Sequence, residues 1–134
     1  MRAGEIRVAI NSDQDIVTAR QKGRALATEL GFGTGDATLI ATAISELARN
    51  IVSYARRGEV TLKIVDGSVR KGILVIASDD GPGIPDIRQA LRDGFSTSGS
   101  LGLGLPGVRR LMDEFEITSQ PGRGTIVAVK KWKQ

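Results

Sequence analysis

Glycine is concentrated in one segment of this chain, and that segment constrains the fold more than any other feature. The chain has 17 glycines among 134 residues, about twice the share of an average protein, and 7 of them lie between positions 81 and 107. Glycine lets a backbone approach a ligand closely. Segment 79–107 is also too long for an ordinary connection between two elements. We therefore predict that it forms a ligand site built from backbone groups.

The absence of two residue types excludes several classes of protein. The chain has no cysteine and no histidine, which excludes disulfide scaffolds, thiol chemistry and Ser-His-Asp catalysis. Its 134 residues, with 40% apolar and 25% charged side chains, predict one globular domain over residues 1–134. No apolar run approaches the roughly 20 residues that cross a bilayer, and the N-terminus has no signal-like core. We therefore expect a cytoplasmic protein with no membrane contact.

The positive charge of the chain does not indicate a nucleic-acid partner. The net charge is +4, but the basic residues are scattered and the chain has one Trp and one Tyr. A nucleic-acid site usually needs a basic patch, and single strands also need aromatic stacking surfaces. We expect no nucleic-acid binding.

The spacing of apolar residues predicts an α+β fold with two layers. The predicted strands are 5–10, 60–65, 72–78, 116–119 and 125–129. The first predicted helix has its N-cap within 11–13 and stops at 31, and the other predicted helices are 36–55, 86–92 and 108–114. Most neighbouring strands are joined as hairpins. We expect a mixed, mostly antiparallel sheet that is covered on one face by helices.

Two polar residues on the second long helix are candidates for chemistry. Glu46 and Asn50 are four residues apart and share a helix face beside the apolar stripe. They are either a polar edge of the helix or a functional pair. In the second case the Asn oxygen is a suitable ligand for Mg²⁺, and the Glu carboxylate could accept a proton from an attacking hydroxyl.

A short acidic and glycine-rich motif follows the third strand. Asp79 is followed by Gly81 and Gly83. The motif is either a capped turn or a flat site for a planar ring, in which Asp79 accepts a hydrogen bond from an exocyclic amine and the two glycines make room for the ring.

The segment from Gly102 through Leu103 and Gly104 to Gly107 has the spacing GxGxxG. No strand precedes it and no acidic residue follows at the ribose position, so we reject a dinucleotide site. Glycines before a helix still offer unpaired N–H groups and a positive dipole end, which favours phosphate binding.

Gly124 and Thr125 begin the last strand, after a segment that is typical of a hairpin turn.

Together, and in this order, these motifs resemble the GHKL ATPase superfamily with its Bergerat fold. The resemblance covers most of the chain, from Glu46 to Thr125. It implies ATP or ADP and Mg²⁺ as cofactors and Glu46 as the catalytic residue. It also implies Asn50 as the metal ligand, and the following residues as nucleotide-binding: Asn50, Asp79, Gly81, Gly83, Gly102, Leu103, Gly104 and Thr125.

Within that superfamily the chain is similar to the small anti-sigma-factor and stressosome switch serine kinases. This implies a kinase that phosphorylates Ser/Thr on STAS-domain partners (RsbS- and RsbR-like) and, once released, activates an RsbU-like phosphatase or another output protein. One alternative is an anti-sigma factor that sequesters a sigma factor and phosphorylates an anti-anti-sigma STAS protein. Another alternative is a docking module that binds no nucleotide. The presence of Glu46, Asn50 and Asp79 disfavours it, because a docking surface does not need all three residues.

The chain departs from the resemblance in the glycine-rich segment that would cover the phosphates, which we call the lid. Segment 94–101 contains no Lys or Arg, whereas anti-sigma kinases usually have a basic residue there. Phosphoryl transfer depends on compensating charge. Mg²⁺, backbone N–H groups, Arg49 or a residue of the partner must then offset the charge of the phosphates.

Overall fold

The computed structural model describes residues 5–83 and 104–134, and these residues form a sheet with helices on one face. The elements in chain order are β1 (Glu5–Ile10), α1 (Asp13–Leu30), α2 (Thr34–Asn50), a π-helical turn (Ile51–Ala55), β2 (Gly58–Asp66), β3 (Lys71–Asp79), α3 (Gly104–Leu111), β4 (Glu114–Gln120) and β5 (Gly124–Trp132). The α+β prediction and the five predicted strands are confirmed. The predicted helix 86–92 lies outside the described residues.

Helix α1 begins and ends where its capping residues predict. The Asp15 carboxylate accepts the backbone N–H of Ser12 at 3.1 Å, which satisfies a donor at the helix start. At the other end Gly31 has φ +95° and donates its N–H to the last turn. Glycine adopts this left-handed conformation at little cost because it has no β-carbon.

The second long helix changes its geometry near its end. It is α-helical to Asn50 and continues as a π-helical turn to Ala55, so the predicted end near position 55 is confirmed. Single π-helical turns are rare in proteins, and those that occur are often found at functional sites. The turn closes at Arg56, whose φ of +73° is unusual for a residue with a side chain.

The third described helix differs from the prediction. We expected a helix over 108–114 that follows a glycine-rich loop, but α3 already begins at Gly104 and ends at Leu111. Glu114 instead begins β4. Pro106 is tolerated because it lies in the first turn, where no helical hydrogen bond is lost.

The described strands form one sheet in the order β1-β2-β3-β5-β4. Every pairing among them is antiparallel, so the mixed character that we expected does not occur in this part of the chain. The helix-facing residues of β2 and β3 are fully buried at Val60, Leu62, Ile73 and Val75. They pack against the predicted stripes of α1 and α2, in which Ile40, Ile44 and Leu47 are buried.

In the described ranges no helix has both the length and the apolar character to cross a membrane.

Candidate functional site

Four residues form a row across one end of the sheet. The antiparallel registers pair Gly58 with Asp79, Asp79 with Thr125, and Thr125 with Ser119. Side chains alternate between the two faces of a strand. Asp79 shares its face with the buried Ala77, and Thr125 shares its face with the buried Val127. The row therefore lies on the helix side of the sheet, where Gly58 adds no side chain.

The hydroxyl groups of the row are joined to one another. Ser119 Oγ lies 2.8 Å from Thr125 Oγ1 and donates to the carbonyl of Gly124 at 3.2 Å. The Thr125 hydroxyl is thereby held in place next to Asp79. Sequence reasoning missed Ser119, although the alternation in β4 and the hairpin register give its position.

The Asp79 carboxylate has one oxygen bound within its own turn. Its Oδ1 accepts the N–H of Gly81 at 2.9 Å. In the described part of the chain no other hydrogen bond to this side chain is present, and the residue is half-buried. Oδ2 can therefore accept a hydrogen bond from an exocyclic amine, as a bound adenine ring would require.

The turn after Asp79 is packed tightly against the β4–β5 hairpin. Gly122 donates its N–H to the carbonyl of Pro82 at 2.7 Å. Gly83 has φ +82°, and a β-carbon there would overlap the carbonyl of Gln120. A β-carbon on Gly124, at φ +94°, would overlap the carbonyl of Asp79. In this structure close contacts between chain segments account for these glycines.

The end of the second long helix lies at the same end of the sheet. The Ile51 side chain and the β-carbon of Asp79 both lie beside the α-carbon of Gly58, where an added β-carbon would be 2.9 and 3.0 Å from them. Ala55, at the end of the π-helical turn, lies beside Gly81. Asn50 directly precedes Ile51 and is half-buried. Its carboxamide is thus on the element that packs against the Asp79 turn.

Glu46 is more buried than its place beside the apolar stripe predicted. Only 7% of the residue is exposed. One carboxylate oxygen, Oε2, accepts a hydrogen bond from Arg49 Nη1 at 2.6 Å. The other oxygen, Oε1, accepts the backbone N–H of Gly104 at 3.3 Å. Sequence reasoning did not predict this ion pair, although its i, i+3 spacing on a helix was a visible signal.

The predicted site residues therefore fall into two groups. Asp79, Gly81, Gly83 and Thr125 meet at the end of the sheet, and Glu46 contacts Gly104 at the start of α3. The π-helical turn connects the two groups, because it continues the helix of Glu46 and Asn50 onto the Asp79 turn. Gly102 and Leu103 lie outside the described residues.

The chain resembles known proteins over most of its length. Residues 35–134 match the family described as histidine kinase-, DNA gyrase B- and HSP90-like ATPases. The serine/threonine-protein kinase RsbT of Bacillus subtilis (strain 168) is 58% identical over 125 residues, which cover 93% of this chain and 94% of RsbT. The anti-sigma F factor of Thermoanaerobacter sp. (strain X514) is 31% identical over 129 residues, which cover 92% of this chain and 89% of that protein.

Two solved structures have the same fold. The RsbU and RsbW domains of Rv1364c from Mycobacterium tuberculosis align with a TM-score of 0.68 and 19% identity, over 97% of this chain and 33% of that one. This chain thus spans about a third of that structure. The catalytic domain of the histidine kinase ThkA aligns with a TM-score of 0.54 and 16% identity, over 96% of both chains.

Proposed function

The chain belongs to the family of histidine kinase-, DNA gyrase B- and HSP90-like ATPases, and within it we propose that it is a Mg·ATP-dependent protein serine/threonine kinase of a stress-signalling partner switch. The observation that carries the proposal is the 58% identity to a serine/threonine-protein kinase along nearly the whole of both chains. The domain comprises residues 1–134, and the protein acts in the cytoplasm.

The partners of the kinase are STAS-domain proteins of the RsbS and RsbR type. They serve as substrate and inhibitor, and their phosphorylation releases the kinase. The released kinase then binds and activates an RsbU-like phosphatase or another output protein. The similarity to both a kinase and anti-sigma factors supports a partner switch of this kind.

The residues of the site have separate roles in this proposal. Asp79, with Gly81, Gly83 and Thr125 around it, binds the adenine ring, and its Oδ2 accepts the exocyclic amine. The carboxamide oxygen of Asn50 would hold Mg²⁺, which prefers oxygen ligands and retains phosphate oxygens and water in its shell. When bound, the metal offsets the charge that develops on the phosphates. The other ligands of the phosphates are Gly102, Leu103 and Gly104, of which Gly104 begins α3.

Glu46 is the residue that acts on the substrate hydroxyl. A carboxylate can orient an attacking hydroxyl and accept its proton. It lies one helical turn before Asn50, so a hydroxyl that reaches it also faces the phosphate end of the nucleotide. The contact between Glu46 and Gly104 supports this role, because Gly104 belongs to the segment that would bind the phosphates.

Transfer of labelled phosphate tests the proposal. The purified protein is incubated with Mg²⁺, ATP labelled at the γ-phosphate and an RsbS-like STAS protein. We expect label on a Ser or Thr of the partner, and we expect Glu46→Ala to abolish transfer while its affinity for ATP stays within about threefold. If the unchanged protein never labels a STAS partner, the proposal is wrong.

A second function is supported by the relatives named anti-sigma F factors. In that case the chain sequesters a sigma factor and phosphorylates an anti-anti-sigma STAS protein. Both functions need the same nucleotide site, so transfer of label does not separate them. A pull-down with the tagged protein does, because a bound sigma factor supports the second function, whereas a multi-STAS assembly or a phosphatase supports the first.

A further inference from the structure

The Glu46 carboxylate is held by a cation from its own helix. Arg49 Nη1 lies 2.6 Å from Glu46 Oε2, which is a short, charge-assisted hydrogen bond. The side chain of Glu46 is 9% exposed and that of Arg49 is 40% exposed. The pair therefore extends from the buried carboxylate to the protein surface.

Burial makes this contact important for the position of Glu46. A carboxylate that is removed from water without a compensating charge is costly. Gly104 N–H compensates only one oxygen, at the longer distance of 3.3 Å. Arg49 compensates the other oxygen and fixes the plane of the carboxylate between α2 and the start of α3.

Sequence reasoning left another role open for Arg49, as the countercharge that the lid lacks. The geometry points to a different role. Arg49 Nη1 is already bound to Glu46, and the carboxylate offsets part of the positive charge that the guanidinium group would otherwise offer to a phosphate. We propose that Arg49 is a positioning residue that fixes Glu46 for the attacking hydroxyl, an inference that rests on the proposed function.

Kinetics and binding of Arg49 variants test this inference. The variants are Arg49→Ala, the conservative Arg49→Lys, and Arg24→Ala as a control that removes an exposed Arg from α1. We expect Arg49→Ala to lower kcat for phosphate transfer by about 10- to 100-fold, because a small displacement of a catalytic group has an effect of that size. We expect Arg49→Lys to recover most of kcat and Arg24→Ala to behave as the unchanged protein.

Nucleotide affinity separates the two roles of Arg49. A positioning residue leaves the dissociation constants of ATP and ADP, measured by calorimetry with Mg²⁺, within about threefold of the unchanged protein. A loss of ATP affinity without an equal loss of ADP affinity would make Arg49 a countercharge for the γ-phosphate and would overturn the inference. An unchanged kcat in Arg49→Ala would overturn it as well.

A double-mutant cycle supplies a readout that needs no activity. The melting temperatures of Glu46→Gln, Arg49→Ala and the double variant are compared without nucleotide. Because the two side chains are in direct contact, we expect the loss in the double variant to be smaller than the sum of the single losses. Additive losses would overturn the pairing. Absence of transfer by the unchanged protein would instead refute the proposed function, and the role of Arg49 in catalysis with it.

Discussion

At the scale of single residues, Asp79 combines a structural task with a binding task in the proposed site. Its Oδ1 closes the turn to Gly81, and its Oδ2 can accept a hydrogen bond from the base. A carboxylate can perform both tasks because each of its oxygens is an acceptor. A carboxamide cannot, because one of its two terminal atoms is a donor.

Asp79→Asn is therefore expected to weaken nucleotide binding. The variant loses one of two hydrogen bonds to a charged acceptor, which is about 1.5–3 kcal/mol, or about 10- to 150-fold in the dissociation constant of ADP. Calorimetry with Mg²⁺ measures it. The matched control is Asp80→Asn, which removes the same charge from the exposed neighbour. Equal affinities of the two variants would contradict the role of Asp79.

At the scale of elements, the site depends on how the β4–β5 hairpin meets the end of β3. Gly124 opens β5 at φ +94° directly against the Asp79 carbonyl. A side chain there is strained by its backbone conformation and has no space. The hairpin therefore brings Thr125 beside Asp79 only if position 124 has no β-carbon.

Gly124→Ala is expected to reduce the free energy of unfolding by at least about 2 kcal/mol, because a left-handed conformation alone costs ~1–2 kcal/mol for alanine and the overlap adds to it. Urea denaturation measures it. The control is Gly35→Ala in the first turn of α2, where a β-carbon meets nothing within 4 Å. We expect this control to be neutral or more stable by up to about 1 kcal/mol. Equal stability of the two variants would show that the hairpin adapts to a side chain.

The far end of the same hairpin is joined by a charged hydrogen bond. Trp132 Nε1 donates to Glu114 Oε2 at 2.8 Å, and Lys130 Nζ lies 3.5 Å from Oε1. The indole hydrogen bond, with the lysine charge, holds the pKa of Glu114 below its ordinary value of 4.5. A lowered pKa in the folded state stabilises the fold at pH values above 4.5 and ceases to do so as the pH falls through the folded value.

Glu114→Gln is therefore expected to lower the melting temperature at pH 7 and to have a smaller effect at pH 3. The glutamine keeps an acceptor for the indole but has no charge at either pH. Thermal unfolding of both proteins at the two pH values measures the difference. The same difference in melting temperature at pH 7 and pH 3 would mean that the charge of Glu114 contributes nothing.

At the scale of the whole molecule, the periodicity of the apolar residues was sufficient to predict the two layers of the fold, but not the contacts between the elements. The buried stripe of Ile40, Ile44 and Leu47 and the alternation in the strands define the core, and the sequence shows both. The start of α3 at Gly104 was not predictable, because glycine and proline favour a loop unless tertiary contacts offset their low helix propensity. One such contact is Gly104 to Glu46, which lies 58 residues away along the chain.

The geometry of the candidate site was predictable from the sequence to the same extent. The positions of Asp79 and Thr125 follow from strand ends and from the resemblance, and the register makes them direct partners. Ser119 and the pairing of Arg49 with Glu46 depend on side-chain geometry. Spacing along the chain shows that such contacts are possible, but packing decides whether they form.

A crystal structure with Mg²⁺ and a non-hydrolysable ATP analogue tests most directly whether these separate segments bind one nucleotide. We expect the Asn50 side-chain oxygen at about 2.1 Å from the metal and the Asp79 carboxylate at about 2.9 Å from the exocyclic amine of adenine. A nucleotide bound with the Asn50 carboxamide far from the metal, or with the Asp79 carboxylate turned away from the base, would contradict the proposed site.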